Sequence, residues 1–486
     1  MDTKTDKKPS YQDLEFENDK LKRENDQLRR LIFGQKRERF VPELNEDQLN
    51  LLASQEITSK SDKPKTKHIS GYSRKVSNKN KKKPVREEIP SHIPRKEIVI
   101  KPEEDITGLK KIGQEITEEL EYEEAKFYVK RYIRPKYARK GDKGVAIGYL
   151  PSRPIEKGIA GPSLLAHILI SKYVDHLPLY RQNQQFKRFG VEFAPSTMNG
   201  WVKSTTELLL PLFKLERSLV LKARYLMVDE TPIKVLDPAK PGTTHRGYYW
   251  VYYDPIGNHV FFDYQKGRSR DGPNTVLKYF QGHLQTDGYT GYNELASKPE
   301  VTPVGCMAHA RRNFVEAQDN DPECTTYILK LIQELYAIEK YAREKNLSHK
   351  DRHQLREKSS KPVMETIKNW LDTEYEKVLP RSAIGGAIGY MLRHWSRLET
   401  YLTDGKLEID NNLVENAIRP VALGRKNYLF AGSHKGAKRA AVIYTLVSNA
   451  KIQGKEPFSY LRDIISRIAD HPYKNLHQLL PENWEK

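Results

Sequence analysis

The sequence predicts an α/β core that is interrupted by an all-helical insertion and preceded by a coiled coil, a basic linker and a helix-turn-helix-like helical module. Three observations support this fold class. From residue 223 onward, short apolar runs typical of strands alternate with helical segments, and the core pattern resumes near residue 401. Residues 318–400 between them have helical periodicity. The first 90 residues contain a heptad repeat and then a basic stretch with few apolar residues.

The composition favours a nucleic-acid partner. The 486 residues include 83 Lys and Arg against 64 Asp and Glu, a formal net charge of +19, and the isoelectric point is about 9.4. Since no apolar run is long enough to span a bilayer, we expect a polyanion rather than a membrane. The N-terminus lacks the apolar core of a signal peptide, which predicts a cytoplasmic protein. Two cysteines exclude a four-cysteine zinc site within one chain and disfavour a disulfide framework.

Residues 11–40 predict a short coiled coil. Leucines recur every seven residues at one seam position, and the other seam position holds two asparagines and an isoleucine: Leu14, Leu21, Leu28, Asn18, Asn25 and Ile32. Leucine at one seam position and asparagine at the other favour a parallel homodimer, because a buried Asn can pair across a dimer. The alternative for so short a repeat is a single amphipathic helix.

Two segments of different character follow the coiled coil. Residues 41–90 are predicted to be a basic flexible linker, since Lys60 to Pro84 contains ten Lys or Arg, one Asp and almost no apolar residues. It is either a phosphate-binding arm or a plain solvated linker.

Residues 91–150 predict a small strand-rich module in which basic and aromatic residues interleave, as in "AKFYVKRYIRPKYA". That mixture suits a nucleic-acid face and, equally, a half-exposed basic hairpin.

Residues 151–222 predict a helical module. Helical periodicity breaks at Pro178 and restarts after an expected N-cap at Ser196. Two helices joined by a short turn, with Lys187 and Arg188 among their polar residues, resemble a helix-turn-helix DNA-binding unit, although many helical hairpins bind no DNA.

Two aspartates are expected at strand ends in the core. Asp229, followed by Glu230, comes after the apolar run 225–228, and Asp287 ends the run "GHLQTD". In a mixed sheet these two strands can lie side by side with both acids at one edge, which is where α/β sheets commonly carry out chemistry. Glu230 is interpreted as a turn residue or as a neighbour that supports Asp229. The insertion, residues 318–400, adds no acid at a strand end, and its charges are interpreted as a solvated helical surface.

A third acid, Glu415, begins a predicted helix that could lie against the sheet and reach the two aspartates. Three oxygen ligands without a usable cysteine or histidine cluster favour Mg²⁺ or Mn²⁺ and make zinc unlikely. Two such ions could support in-line attack on a phosphodiester without a side-chain nucleophile. Basic residues expected to hold DNA phosphates follow on and after this helix, namely Arg419, Arg425, Lys426, Lys435, Lys438 and Arg439, and Arg311 and Arg312 are further candidates.

The segments "MVDETPIKV", "LQTDGYTGYN", "GCMAHARRNF" and "DNNLVENAIRPVALGRKNYLFAGS" together resemble the transposases of the insertion sequence 66 family. The similarity extends from the coiled coil to the C-terminal tail, residues 453–486. It implies a ribonuclease H-like catalytic core at 223–317 and 401–452, with a DDE triad of Asp229, Asp287 and Glu415. It also implies Mg²⁺-dependent cleavage at the element's ends, transfer of the 3'-hydroxyl to target DNA, and two small accessory proteins as possible partners.

One departure from the family pattern concerns zinc. Many members carry a cysteine-rich zinc segment, but residues 91–150 contain no cysteine, so zinc binding and any end recognition that depends on it are not expected here. Three interpretations remain: an active DDE transposase, a catalytically silent DNA-binding regulator derived from one, or another ribonuclease H-like nuclease. The intact acids favour the first, whereas the coiled coil and basic arm are poorly explained by the third.

Overall fold

The computed structural model describes residues 127–133, 136–138, 145–147, 151–156, 158–237 and 242–485. The predicted coiled coil, the basic linker and most of the strand-rich module lie outside these residues. From that module, β1 (Lys136–Ala138) and β2 (Val145–Ile147) form an antiparallel pair.

In the described part of the chain, three helices precede the central sheet: α1 (Pro162–Tyr173), α2 (Leu179–Arg188) and α3 (Pro195–Lys222). The turn before α2 is fixed by the buried amide of Gln182, which donates to the Leu177 carbonyl at 2.9 Å. Asn183 exchanges two hydrogen bonds with the backbone of Phe193 and so holds α2 against the segment that leads into α3. The N-cap expected at Ser196 was wrong. Helix α3 already begins at Pro195, a residue well suited to the first helical position because it needs no N–H partner there.

A five-stranded mixed sheet forms the core, in the order β5-β4-β3-β6-β7. Its strands are β3 (Tyr225–Leu236), β4 (Thr244–Asp254), β5 (His259–Gln265), β6 (Gly282–Gln285) and β7 (Val301–Val304). Strands β3, β4 and β5 are antiparallel, and β6 and β7 run parallel to β3. Two short helices, α4 (Asp271–Val276) and α5 (Asn293–Ala296), connect the later strands, and α6 (Met307–Glu316) follows β7. The prediction that the strands before Asp229 and Asp287 are neighbours is confirmed.

The strand that carries Asp229 is longer than the sequence suggested. Asp229 was expected at the end of the strand, but β3 continues through Thr231 and Pro232 to Leu236, paired with β4 from Met227 onward. The carbonyl of Pro232 accepts a hydrogen bond from Arg425, so this residue's backbone polar groups point away from β4. The parallel pairing with β6 has already stopped at Met227. On the side of β3 where the N–H of residue 232 would lie, no strand pairs and no donor is needed, so a proline is tolerated there.

Three C-terminal helices pack on and around the sheet: α12 (Asn412–Tyr428), α13 (His434–Ile452) and α14 (Pro457–Arg467). Helix α13 covers the edge strand β5 with polar side chains. The amide of Asn449 accepts from the Val260 N–H at 2.9 Å and donates to the Val260 carbonyl at 2.7 Å, and Thr445 accepts from the Phe262 N–H at 3.0 Å. These bonds satisfy backbone groups that an edge strand would otherwise leave unpaired.

The predicted helical insertion consists of α7 (Pro322–Glu344), α8 (His349–Leu355), a π-helical turn (Arg356–Ser360), α9 (Lys361–Tyr375), α10 (Ala383–Arg393) and α11 (Trp395–Glu399). Its charges were interpreted as a solvated surface, and for three residues, Glu339, Arg352 and Arg356, this was wrong. Glu339 and Arg356 are fully buried, and Arg356 donates to Glu339 at 2.7 and 2.9 Å. Arg352 bridges Glu339 and Glu408. Among the helices in the described part of the chain, none combines the length and apolar character needed to cross a bilayer.

Candidate active site

The first acid, Asp229, lies on β3 just beyond the point where β6 stops pairing with that strand. The last parallel pair joins Met227 to Gln285. Beyond it, β3 has a strand neighbour on one side only, so the other side is open to a loop and a helix. One carboxylate oxygen of Asp229 accepts from the Glu230 N–H at 2.7 Å. The residue keeps partial solvent access.

The second acid, Asp287, lies in a loop two residues after β6. Hydrogen bonds hold both its side chain and its backbone. Its carboxylate accepts from the Tyr289 N–H at 2.9 Å, and its backbone carbonyl accepts from the hydroxyl of Tyr390 in α10 at 2.8 Å. Gly288 has φ +88°, a conformation that side chains rarely adopt, and a Cβ there would lie 3.1 Å from the Tyr390 hydroxyl and 3.2 Å from the His394 ring. The helical insertion therefore packs directly on the loop of Asp287.

The third acid, Glu415, lies in the first turn of α12, and both ends of this helix are tied to the sheet region. At the start, the Cys306 thiol donates to the Asn411 side chain at 2.9 Å. At the end, the Ala431 N–H donates to the Lys234 carbonyl at 2.8 Å, and the Ala431 carbonyl accepts from the Leu236 N–H at 2.9 Å. Through these bonds, the segment that follows α12 lies along the open side of β3.

The buried side chain of Gln285 connects the two parts of the core at this edge. It accepts from the hydroxyl of Tyr225 on β3. Its amide donates to the carbonyls of Gly305, after β7, and Glu408, before α12, each at 2.9 Å. A single residue at the end of β6 thus holds β3, β7 and the approach to α12 together.

The charges of the neighbouring acids act on Asp229. Burial raises the pKa of Asp229 well above its ordinary value, and the charges of Asp287, Glu230 and Glu415 raise it further, against the hydrogen bond from the Glu230 N–H. Burial and the charge of Asp287 likewise raise the pKa of Glu230. Raised pKa values that arise from desolvation together with neighbouring acids mark candidate functional sites.

The donor chemistry of these acids fits a hard divalent cation. Carboxylate oxygens are the ligands that Mg²⁺ and Mn²⁺ prefer, and a cation would relieve the repulsion that Asp229 meets. The side chains are not gathered at one point, however. Among the residues that the structure describes, no three His, Cys, Asp or Glu side chains converge into a ready-made metal site.

Comparison with known protein families shows to which family this chain belongs. The model described as "Transposase IS66 family" matches residues 157–439, more than half of the chain. The chain belongs to the IS66 transposase family. Three further models of this family cover other parts: "Transposase C of IS166 homeodomain" matches residues 20–98, "zinc-finger binding domain of transposase IS66" matches 105–138, and "IS66 C-terminal element" matches 445–481. The resemblance inferred from the sequence is therefore confirmed.

Curated relatives of this IS66 family member include three proteins of Sinorhizobium fredii. The uncharacterized protein y4hP is 32% identical over 95% of this chain and 88% of its own length. The uncharacterized protein y4qI is 34% identical over 94% of this chain and 87% of its own. The uncharacterized protein y4jD is 34% identical over 82% and 81%, respectively.

The match to the zinc-finger model falls on residues 105–138, which contain neither cysteine nor histidine. These are the side chains that structural zinc sites use. The match therefore supports the family relationship, while the expectation that this segment binds no zinc stays a prediction.

The predicted DNA contacts lie in several places. Lys435 and Lys438 are exposed near the start of α13, where Arg439 is partly exposed, and Lys426 is exposed near the end of α12. Arg425 is half-buried and donates to the Pro232 carbonyl, so it also ties α12 to β3. The remaining candidates are Arg419 on α12 and Arg311 and Arg312 on α6, all partly exposed, and Lys187 and Arg188, exposed on α2, where Lys187 pairs with Glu192 at 2.7 Å.

Several residues at the site were not predicted from the sequence. Arg268 and Tyr292 hold the carboxylate of Glu230, and Tyr390 holds the loop of Asp287. Arg268 lies in the loop "KGRSRDG", and Tyr390 lies on an apolar helix more than 100 residues from its partner. Neither position has a spacing or composition signal that points to the acids.

Proposed function

We propose that this protein is an active DDE transposase that binds the ends of its insertion sequence, cleaves phosphodiester bonds and joins 3'-hydroxyl ends to target DNA. The observation that supports it most is the placement of the three acids: Asp229 on a strand, Asp287 in the loop after its parallel neighbour, and Glu415 in the first turn of a helix tied across the open side of that strand. The mixed sheet, with three antiparallel strands and two parallel ones, supports a ribonuclease H-like core.

In this proposal Asp229, Asp287 and Glu415 are the catalytic residues and the metal ligands. They would hold Mg²⁺ or Mn²⁺, and a cation bound there would activate a water or the 3'-hydroxyl of the DNA and stabilise the leaving oxygen. The three side chains hold negative charge at fixed positions. Tyr289 and Tyr390 orient the loop of Asp287, and the bonds at Asn411 and Ala431 orient the helix of Glu415.

The wider setting is proposed to be cytoplasmic, with DNA as the main partner. The heptads of residues 11–40 suit a homodimer or a higher assembly, and the two small accessory proteins usual in this family are further possible partners. A catalytically silent DNA-binding regulator remains the alternative function. The presence of all three acids speaks against it, because a protein that only binds DNA has no need of them.

Labelled DNA taken from either side of the gene tests the proposed function. With Mg²⁺, the wild-type protein is expected to produce nicks with 3'-hydroxyl ends and joined products, and Glu415→Gln is expected to produce neither. Glu323→Gln, which changes an exposed acid in the first turn of α7, serves as the control and should act as wild type. Binding of those ends by both proteins without cleavage, even after the accessory proteins are added, would favour the silent regulator.

The exposed lysines near the start of α13 give a prediction for DNA binding. Lys435→Ala combined with Lys438→Ala should weaken binding to all sequences alike and lower the slope of log affinity against log salt by up to about 1.8, since each phosphate contact contributes about 0.9. The measurement is fluorescence anisotropy over a salt series. Lys368→Ala with Lys377→Ala removes the same charge from lysines paired with Asp372 and Glu374 and should leave the slope unchanged.

A further inference from the structure

Glu230 follows Asp229 on β3, yet both of its carboxylate oxygens are held by other side chains. Arg268 donates from Nε to one oxygen at 2.6 Å, and its Nη2 lies 2.5 Å from the same oxygen. The hydroxyl of Tyr292 donates to the other oxygen at 2.8 Å. The side chain of Glu230 is only 2% exposed, whereas that of Arg268 is 44% exposed, so the pair lies at the boundary between the core and solvent.

Arg268 is also tied to the loop of Asp287. Its guanidinium lies over the Tyr289 ring, 3.9 Å from the centroid, and its backbone carbonyl accepts from the Tyr289 hydroxyl at 2.9 Å. The N–H of the same tyrosine donates to the carboxylate of Asp287. One arginine thus connects the strand of Asp229 and Glu230 with the loop of Asp287.

The charges of Arg268 and Glu230 indicate what their contact does. Burial opposes the charged form of Arg268, but the carboxylate of Glu230 and, more weakly, that of Asp287 raise its pKa. Without Arg268, the carboxylate of Glu230 would add a further negative charge near the three acids of the proposed active site.

We infer that Arg268 is a positioning residue, which fixes the carboxylate of Glu230 and neutralises its charge, so that three negative charges, not four, act on the divalent cation. This inference rests on the proposed function. Glu230 is then the partner of Arg268, since successive residues of β3 point to opposite faces and Glu230 does not share the face of Asp229.

Binding of Mn²⁺ to the full-length protein, without DNA, tests the inference, with free Mn²⁺ measured by electron paramagnetic resonance. Arg268→Ala should bind Mn²⁺ about 3- to 10-fold more tightly, because a nearby positive charge is lost and a carboxylate is freed. Glu230→Gln should bind it more weakly by a similar factor, because Arg268 then lacks its counter-charge. The double variant restores a neutral pair and should return to within about 2-fold of wild type.

Two outcomes would overturn the inference and leave the proposed function intact. If the double variant binds Mn²⁺ as weakly as Glu230→Gln, Glu230 is itself a ligand. If neither single variant changes the affinity, the pair is only structural. Arg268→Lys keeps the charge and should bind as wild type. Should Arg268→Ala fail to fold, Arg268→Gln replaces it with the same expected tightening.

Asp229→Asn separates this inference from the proposed function. In that variant Mn²⁺ affinity should fall at least 10-fold, on the order expected for loss of a charged ligand. If it binds Mn²⁺ as wild type does, the acids are not a metal site, and the proposed function and the role of Arg268 both fail.

Discussion

Asp229→Asn is expected to lower DNA nicking and strand transfer on the order of 10³-fold or more while the affinity for DNA stays within about 2-fold of wild type. Asparagine keeps the size of the side chain but loses the charge that a cation needs. The residue lies on β3 in the candidate active site, where the charges of Asp287, Glu230 and Glu415 also act on it. Single-turnover nicking and a binding assay in Ca²⁺ on the same DNA separate the two effects.

The same substitution is expected to stabilise the fold. An acid whose pKa is raised in the folded state opposes folding once the pH exceeds its pKa in the unfolded chain, about 3.9 for Asp. The melting temperature of Asp229→Asn should therefore match wild type below about pH 4 and exceed it increasingly as the pH rises. Asp263→Asn, at another half-buried acid on β5, controls for the loss of a buried charge away from the site and should keep nicking activity. Full activity in Asp229→Asn would contradict the assignment.

Glu339→Gln is expected to lower the free energy of unfolding by about 3–5 kcal/mol, the largest stability effect that we predict. The substitution leaves Arg356 as a buried charge without its carboxylate partner. Arg356 also donates to the carbonyls of Tyr401 and Leu407, at 2.6 and 2.7 Å, so the loss reaches the segment that returns from the insertion to α12. Urea unfolding followed by circular dichroism measures it.

Glu334→Gln is the matched control, because it makes the same change on an exposed face of α7 and should alter stability by less than about 0.5 kcal/mol. Burial alone would raise the pKa of Glu339, but the hydrogen bonds and charges of Arg356 and Arg352 hold it below its ordinary value. The contribution of ionised Glu339 to the stability of the fold is thus present above about pH 4.3 and is lost as the pH falls through the lowered pKa of Glu339. Equal stability of Glu339→Gln and wild type at neutral pH would show that the buried pair contributes nothing net.

The neighbouring strands of the two aspartates could be predicted because the order of apolar runs and helices restricts how a mixed sheet connects. The continuation of β3 through Thr231 and Pro232 could not. Whether a proline interrupts a strand depends on which side its missing N–H faces, and here that side carries no strand. That fact belongs to the tertiary structure and leaves no trace in the local sequence.

The partners of buried charges were missed for a similar reason. Arg356 and Glu339 are 17 residues apart and lie in segments whose other charges, apart from Arg352, are exposed, so their composition is that of a solvated helix. Arg268 reaches Glu230 across 38 residues from a loop with no periodicity. Acids after apolar runs are visible in a sequence, whereas the arginines that hold or neutralise them become visible only when the chain is folded.

Iron-directed cleavage of the protein tests most directly whether Asp229, Asp287 and Glu415 form one metal site. Fe²⁺ replaces Mg²⁺, and ascorbate with peroxide then generates hydroxyl radicals that cut the backbone near the bound ion. We predict fragments that end beside residues 229, 287 and 415, are suppressed by excess Mg²⁺ and are absent in Asp229→Asn. Cuts at other positions, or the same fragments in Asp229→Asn, would contradict a shared site for the three acids.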